Sequence, residues 1–261
     1  MERGVCPVSK PVETASAAAN QPVDSLHMTH APAIASFDVA IPATDLDGKM
    51  IGLPGRLTLP EAASGLVLFA HGSGSSRFSP RNTFVASVLH EAWVGTLLFD
   101  LLTEQEATDR ANVFDIRLLA DRLLAAVRFV AEHEQTRHLP LGLVGASTGA
   151  AAALVAAAEE PRVVAVVSRG GRPDLAGAAL KRVHAPTLLI VGGEDSEVLR
   201  LNQRALAVVP CEKRLAVVPG ATHLFEEPGT LDEAARLAAE WCARHLSASD
   251  IGSRTTGGRT S

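Results

Sequence analysis

The chain has 261 residues, 47% of them hydrophobic, which is enough to bury one α/β core of ordinary size. A formal charge of −5 and an isoelectric point near 6.0 argue against a nucleic-acid or anionic-membrane partner, either of which needs a basic surface. The cysteines Cys6, Cys211 and Cys242 show neither paired spacing nor a CxxC, so neither a disulfide framework nor a zinc or other metal site is expected.

Residues 1–34 are rich in Pro, Ala, Ser and Thr without periodicity and read as a flexible leader. The first ten, MERGVCPVSK, lack the apolar stretch of a signal peptide. No apolar run approaches the roughly 18 residues of a membrane span. A soluble, cytoplasmic protein is therefore expected. Residues 35–246 read as one domain of alternating strands and helices, and 247–261 as a frayed tail.

Within the domain, Phe37–Ile41 and Gly55–Leu59 are expected to pair as strands. Gly65–Ala70 is a short apolar strand followed by a Gly/Ser-rich loop. Ser79-Pro80 then opens a helix, with Ser as N-cap and Pro at the first helical position. Val94–Phe99 is the next strand and ends at Asp100. After a charged loop (Thr103–Arg110), apolar residues at Ile116, Leu119, Ala120, Leu123, Val127 and Val130 mark a helix of 3.6-residue period. Leu141–Val144 runs into Gly145-Ala146-Ser147-Thr148-Gly149 and an alanine-rich helix, apolar all round and so expected at the centre of the domain. Val163–Val167 and Thr187–Val191 are continuous apolar runs, the pattern of parallel strands covered on both faces. Arg214–Val218 is the last strand. Thr230-x-x-Glu233 reads as a capping box opening a helix with Ala234, Leu237, Ala238, Trp241 and Cys242 inward. Such alternation implies a mostly parallel central sheet with helices on both faces.

Four strand ends carry polar residues suited to acyl transfer, and in open α/β sheets ligands bind at those ends. A serine at the apex of a strand-to-helix turn needs small residues two before and two after it, which Gly145 and Gly149 supply. Ser147 is the expected nucleophile. His223, after the last strand, is the expected base. Asp195 would orient its imidazole, and Glu194 competes for that role. The order Ser147, Asp195, His223 is the one expected of a triad on this architecture.

On these residues and on His71-Gly72-Ser73-Gly74, the chain resembles the α/β-hydrolase superfamily over residues 36–246, and within it the small, cap-less dienelactone hydrolase-like esterases. The resemblance implies an α/β-hydrolase fold with no large cap domain, for which the 18 residues between Val167 and Pro186 leave no room. It also implies an oxyanion hole from the amides of Thr148 and Ser73, with Gly74 a further contributor. Dienelactone hydrolases proper use a cysteine nucleophile; serine here favours ordinary ester chemistry, on small to medium substrates and without a cofactor. Oligomeric state is left open by the sequence.

Arg169 and Arg172, after another strand, and Arg77, in the glycine loop, could bind a carboxylate or phosphate of the substrate, or could pair with Asp174 and surface Glu residues. His71 is read as orienting its loop, Asp100 as binding loop amides, and His184 and His245 as surface residues. Two other classes compete. Gly72-Ser73-Gly74 with Asp100 imitates an NAD(P)-binding fingerprint but lacks the third glycine. A non-catalytic binding module on the same fold is the other alternative, though no triad member is missing.

Overall fold

The computed structural model describes residues 32–247, so residues 1–31 of the expected leader and 248–261 of the expected tail lie outside the described residues, while Ile34, placed in the leader from sequence, is the first residue of a strand. The chain begins in a long antiparallel hairpin, β1 (Ile34–Thr44) and β2 (Met50–Pro60), paired in register from Ile34 opposite Pro60 to Thr44 opposite Met50. Both arms are longer than expected, because backbone pairing carries them past the apolar centre.

Largely apolar segments then form β3 (Gly65–Ala70), β4 (Val94–Phe99), β5 (Leu141–Ala146), β6 (Val163–Arg169) and β7 (Thr187–Gly192), with β8 (Lys213–Val218) last. Their spatial order is β1-β2-β4-β3-β5-β6-β7-β8. β2 is antiparallel to both its neighbours, and every pair from β4 to β8 is parallel. The period of two is visible in β3, where Leu66, Leu68 and Ala70 enter one core and Val67 and Phe69 the other.

One face is covered by α1 (Pro80–Glu91) and α6 (Thr230–His245). The other carries α3 (Ile116–Glu132), preceded by the one-turn α2 (Arg110–Val113), together with α4 (Thr148–Glu159) and α5 (Ser196–Val208). Ser79 caps α1 as the sequence suggests, its Oγ accepting from the Asn82 amide. Thr148 through Ala157 are all buried, which explains a helix without a polar face. Between β6 and β7 lies only the 3₁₀ segment Pro173–Arg182, so no large cap is present.

Two expectations change. The opening of α6 is not a capping box: its N-cap is Gly229, in the left-handed conformation at φ 77°, and the Thr230 hydroxyl donates back to the Glu227 carbonyl. His245 is not a surface residue. It is buried in the last turn of α6 against the Trp241 ring, 4.5 Å between centroids, one helical step beyond the inward stripe. No helix among the described residues is long and apolar enough to cross a membrane.

Candidate active site

The turn from β5 to α4 places Ser147 at φ 51° and ψ −121°, a backbone conformation that non-glycine residues adopt only when their surroundings enforce it. The enforcement is visible in the glycines. A Cβ on Gly145 would stand 2.4 Å from the Ala150 Cα, and one on Gly149 would stand 2.1 Å from the Ala70 carbonyl oxygen of β3. Neither position can hold a side chain while α4 starts this close to the sheet. The Ser147 amide donates to the Arg169 carbonyl, and its carbonyl accepts from the amides of Ala150 and Arg172. The elbow is thus tied to α4 and to the segment after β6.

The loops after β7 and β8 bring Asp195 and His223 together. Asp195 Oδ2 lies 2.6 Å from His223 Nδ1, while Oδ1 accepts from the Val198 amide and caps α5. One carboxylate therefore fixes both a helix start and an imidazole. Glu194, its competitor, is exposed and has no such contact. Ser147 and His223 line the same cleft, about 210 Å³ in volume, with Gly72 and Ser73. The three side chains far apart in sequence converge on one rim of the sheet.

The segment after β3 forms the opposite wall. Ser75 donates to the Gly72 carbonyl across a turn whose third residue, Gly74, has φ 70°, the geometry of a type II turn. The Ser73 amide donates to the Thr148 hydroxyl at 3.0 Å, linking this loop to the first residue of α4. His71 accepts from the Leu101 amide through Nε2 and has its Nδ1 3.1 Å from the Gly72 carbonyl, so Nδ1 carries the proton. Burial lowers its pKa against the opposing influence of that carbonyl and of Asp100, and the ring is neutral at pH 7. Its place is that of a loop brace. Asp100 accepts from the Arg77 amide and guanidinium together.

The three arginines singled out from sequence have different fates. Arg77 is paired with Asp100, and Arg172 is paired with Asp174 through two hydrogen bonds of 2.9 and 2.8 Å. Arg169 is 7% exposed and lines the Ser147 cleft, where its Nη2 donates to Asn82 Oδ1 at 2.9 Å. Burial and the nearby Arg81 lower its pKa to about 10. Asn82 and Arg81, on the first turn of α1, also line the cleft. Neither was singled out from sequence, although Ser79-Pro80 already announced the helix start that carries them. Among the described residues, no group of three or more His, Cys, Asp and Glu side chains is placed to hold a metal ion.

A mostly parallel eight-stranded sheet in this order, with a serine at the elbow after β5, an acid after β7 and a histidine after β8, defines an α/β-hydrolase fold. The chain belongs to the dienelactone hydrolase family, whose model matches residues 101–247. A dienelactone hydrolase from Anabaena variabilis is 52% identical and superposes with a TM-score of 0.76, over 83% of this chain and 100% of that one. The esterase domain of a Rhodothermus marinus protein shares the fold at 20% identity and a TM-score of 0.63, over 82% of this chain and 100% of that one. Over 198 residues the chain is 62% identical to a Mycobacterium tuberculosis protein named "Putative phosphoribosyl transferase", covering 75% of this chain and 44% of that protein. The chain thus spans less than half the length of the curated relatives it matches.

Proposed function

We propose that the protein is a serine hydrolase that cleaves carboxylic esters of small to medium size through an acyl-enzyme. The observation that carries this reading is the 2.6 Å contact of Asp195 with His223, which lines the same cleft as the strained Ser147. His223 Nε2 takes the proton as Ser147 Oγ attacks the carbonyl carbon. It then returns that proton to the departing alkoxide, and water repeats the sequence in reverse to release the acid. Asp195 holds the ring with Nδ1–H toward itself and stabilises the imidazolium.

The developing oxyanion is received by the Thr148 amide, one of the first-turn donors that a helix leaves without an internal partner, and by the Ser73 amide. In the free enzyme the Ser73 amide is held by the neutral Thr148 hydroxyl. A charged oxyanion is the stronger acceptor and displaces it. A cytoplasmic site of action is proposed with this reading, since Cys211 and Cys242 are free thiols.

The transferase activity stated in the name of the M. tuberculosis relative we assign to the part of that protein that this chain does not match. Incubation of this chain with a phosphoribosyl donor should then show no transfer. The main test is a fluorophosphonate probe followed by mass spectrometry of the labelled peptide, with turnover of a panel of 4-nitrophenyl esters. Label on Ser147 and ester turnover are expected; label elsewhere, or none with no turnover, would refute the reading.

A further inference from the structure

The chemistry above uses Ser147, His223, Asp195 and two amides. It does not use Arg169, which is buried in the same cleft and, among the described residues, forms no ion pair. Among the described residues its guanidinium hydrogen-bonds to a neutral amide oxygen alone, that of Asn82, with the Phe225 ring 5.8 Å from the guanidinium carbon. A buried cation without a counter-charge is costly, and structures that keep one generally supply the missing charge from elsewhere.

The surroundings make the deficit larger. Arg81, on the same cleft, is close enough to lower the basicity of Arg169, and its own partner Glu226 is an exposed carboxylate at 3.2 Å. An exposed pair of this kind is weak and easily exchanged for another anion. With its oxygen turned to Arg169, Asn82 has its NH₂ group left to donate. The hydroxyls of Ser75 and Ser79 complete the lining, at the N-terminal end of the twelve-residue α1. A planar carboxylate could satisfy only part of this donor set, which comes from β6, from α1 and from the loop after β3. A tetrahedral group with three terminal oxygens can reach all three sources.

We propose that the part of the Ser147 cleft bounded by Arg169, Arg81 and Asn82 binds a phosphate monoester carried by the substrate, so that the preferred esters are those of phosphorylated acids or alcohols. The proposal rests on Ser147 being the nucleophile only for its catalytic consequence; the anion site itself is independent of it.

The test has two arms. In the first, inorganic phosphate is titrated at constant ionic strength while thermal unfolding is followed. Phosphate should raise the Tm of the full chain, and Arg169→Gln and Arg81→Gln should each reduce that rise. In the second, kcat/KM is measured for matched neutral, carboxylated and phosphorylated esters. The phosphorylated ester should be preferred about 10- to 100-fold over the neutral one, the gain expected of one or two charge-assisted hydrogen bonds. That ratio should collapse in both variants.

Phosphate without effect on Tm, a ratio near one alongside normal turnover of the neutral ester, or a preference that survives both substitutions would overturn the proposal. A preference for the carboxylated ester over the phosphorylated one would overturn the choice of phosphate. If Arg169→Gln does not fold, Arg81→Gln, at a half-buried position on the rim of the cleft, decides alone. Failure to hydrolyse any ester would refute the hydrolase reading, and the phosphate titration would still judge the anion site.

Discussion

Replacing Gly149 by alanine tests whether the close approach of α4 to β3 positions the machinery. Two effects oppose each other. Alanine is the better helix former, by at most about 1 kcal/mol here, since Gly149 is only the second residue of α4. Its Cβ, however, would fall 2.1 Å from the Ala70 carbonyl oxygen and 2.5 Å from that of His71. Both are backbone atoms at the end of a central strand and have no rotamer to yield. Restoring even a tight 3.0 Å contact requires nearly 1 Å of separation between α4 and β3. Overpacking of this kind costs about 1–3 kcal/mol, and a rigid backbone neighbour puts it toward the upper end. The clash therefore wins, by about 1–2 kcal/mol, lowering Tm by about 2–8 °C for a domain of this size. The larger effect is expected on catalysis, because the displacement separates the Thr148 and Ser73 amides that, in the proposed mechanism, meet one oxyanion. A misplacement of about 1 Å costs on the order of 100-fold in rate. Gly48→Ala is the control: it has φ 81°, nothing within 4 Å and a place in the β1–β2 turn, so it should cost about 1–2 kcal/mol of stability and no activity. Scanning calorimetry and kcat/KM on a 4-nitrophenyl ester read both quantities. A Gly149→Ala enzyme within threefold of the parent would refute the argument that this contact sets the site.

Other consequences follow from single contacts. Ser147→Ala should reduce turnover by on the order of 10⁴ to 10⁶ with unchanged Tm, measured on the same ester. Asp195→Asn keeps the shape of the acid but turns a donor toward His223 Nδ1, so the imidazole is held in the wrong tautomer; kcat should fall about 10⁴-fold, with substrate affinity little altered. Glu106 accepts from Nη2 of the fully buried Arg122 at 2.5 Å, and the Nε and Nη1 of that arginine have no hydrogen-bond partner among the described residues. Glu106→Gln leaves the guanidinium uncompensated and should cost about 3–5 kcal/mol, seen as a lower denaturant midpoint. Burial holds His71 and His90 below their ordinary value of 6.5. As pH falls below 6.5 the unfolded chain takes up protons that the folded chain refuses. Stability is therefore full above that pH and declines below it until the folded imidazoles titrate. In His71→Gln, chemical denaturation between pH 7.5 and 5 should show a shallower decline.

The central strands were legible because each is buried on both faces and carries no charged residue. The elbow was legible because glycines flank a serine where an apolar run changes period. What escaped is α5, and the reason is Asn202. The inward positions of that helix are Val198, Asn202 and Ala205, so a polar residue stands in the middle of its apolar stripe. Asn202 is buried because its NH₂ group donates to the Gly171 and Val198 carbonyls. That long-range partner cannot be read from local spacing. The three arginines show the same limit. Arg77, Arg169 and Arg172 look alike in sequence, and only the fold decides that Asp100 and Asp174 neutralise two of them while the third faces Asn82.

The enclosure of α4 from Thr148 to Ala157 separates a part of the molecule with no room for larger side chains from a part that has it. Alanines packed against the sheet, α3 and the 3₁₀ segment leave no space for a larger side chain, and the helix they belong to begins directly at Ser147. Diversity in what the cleft accepts is therefore expected from the connections after β3, β6 and β8, which line it. Laboratory attempts to widen or re-tune acceptance would do well to randomise those connections and leave the helix beneath them untouched.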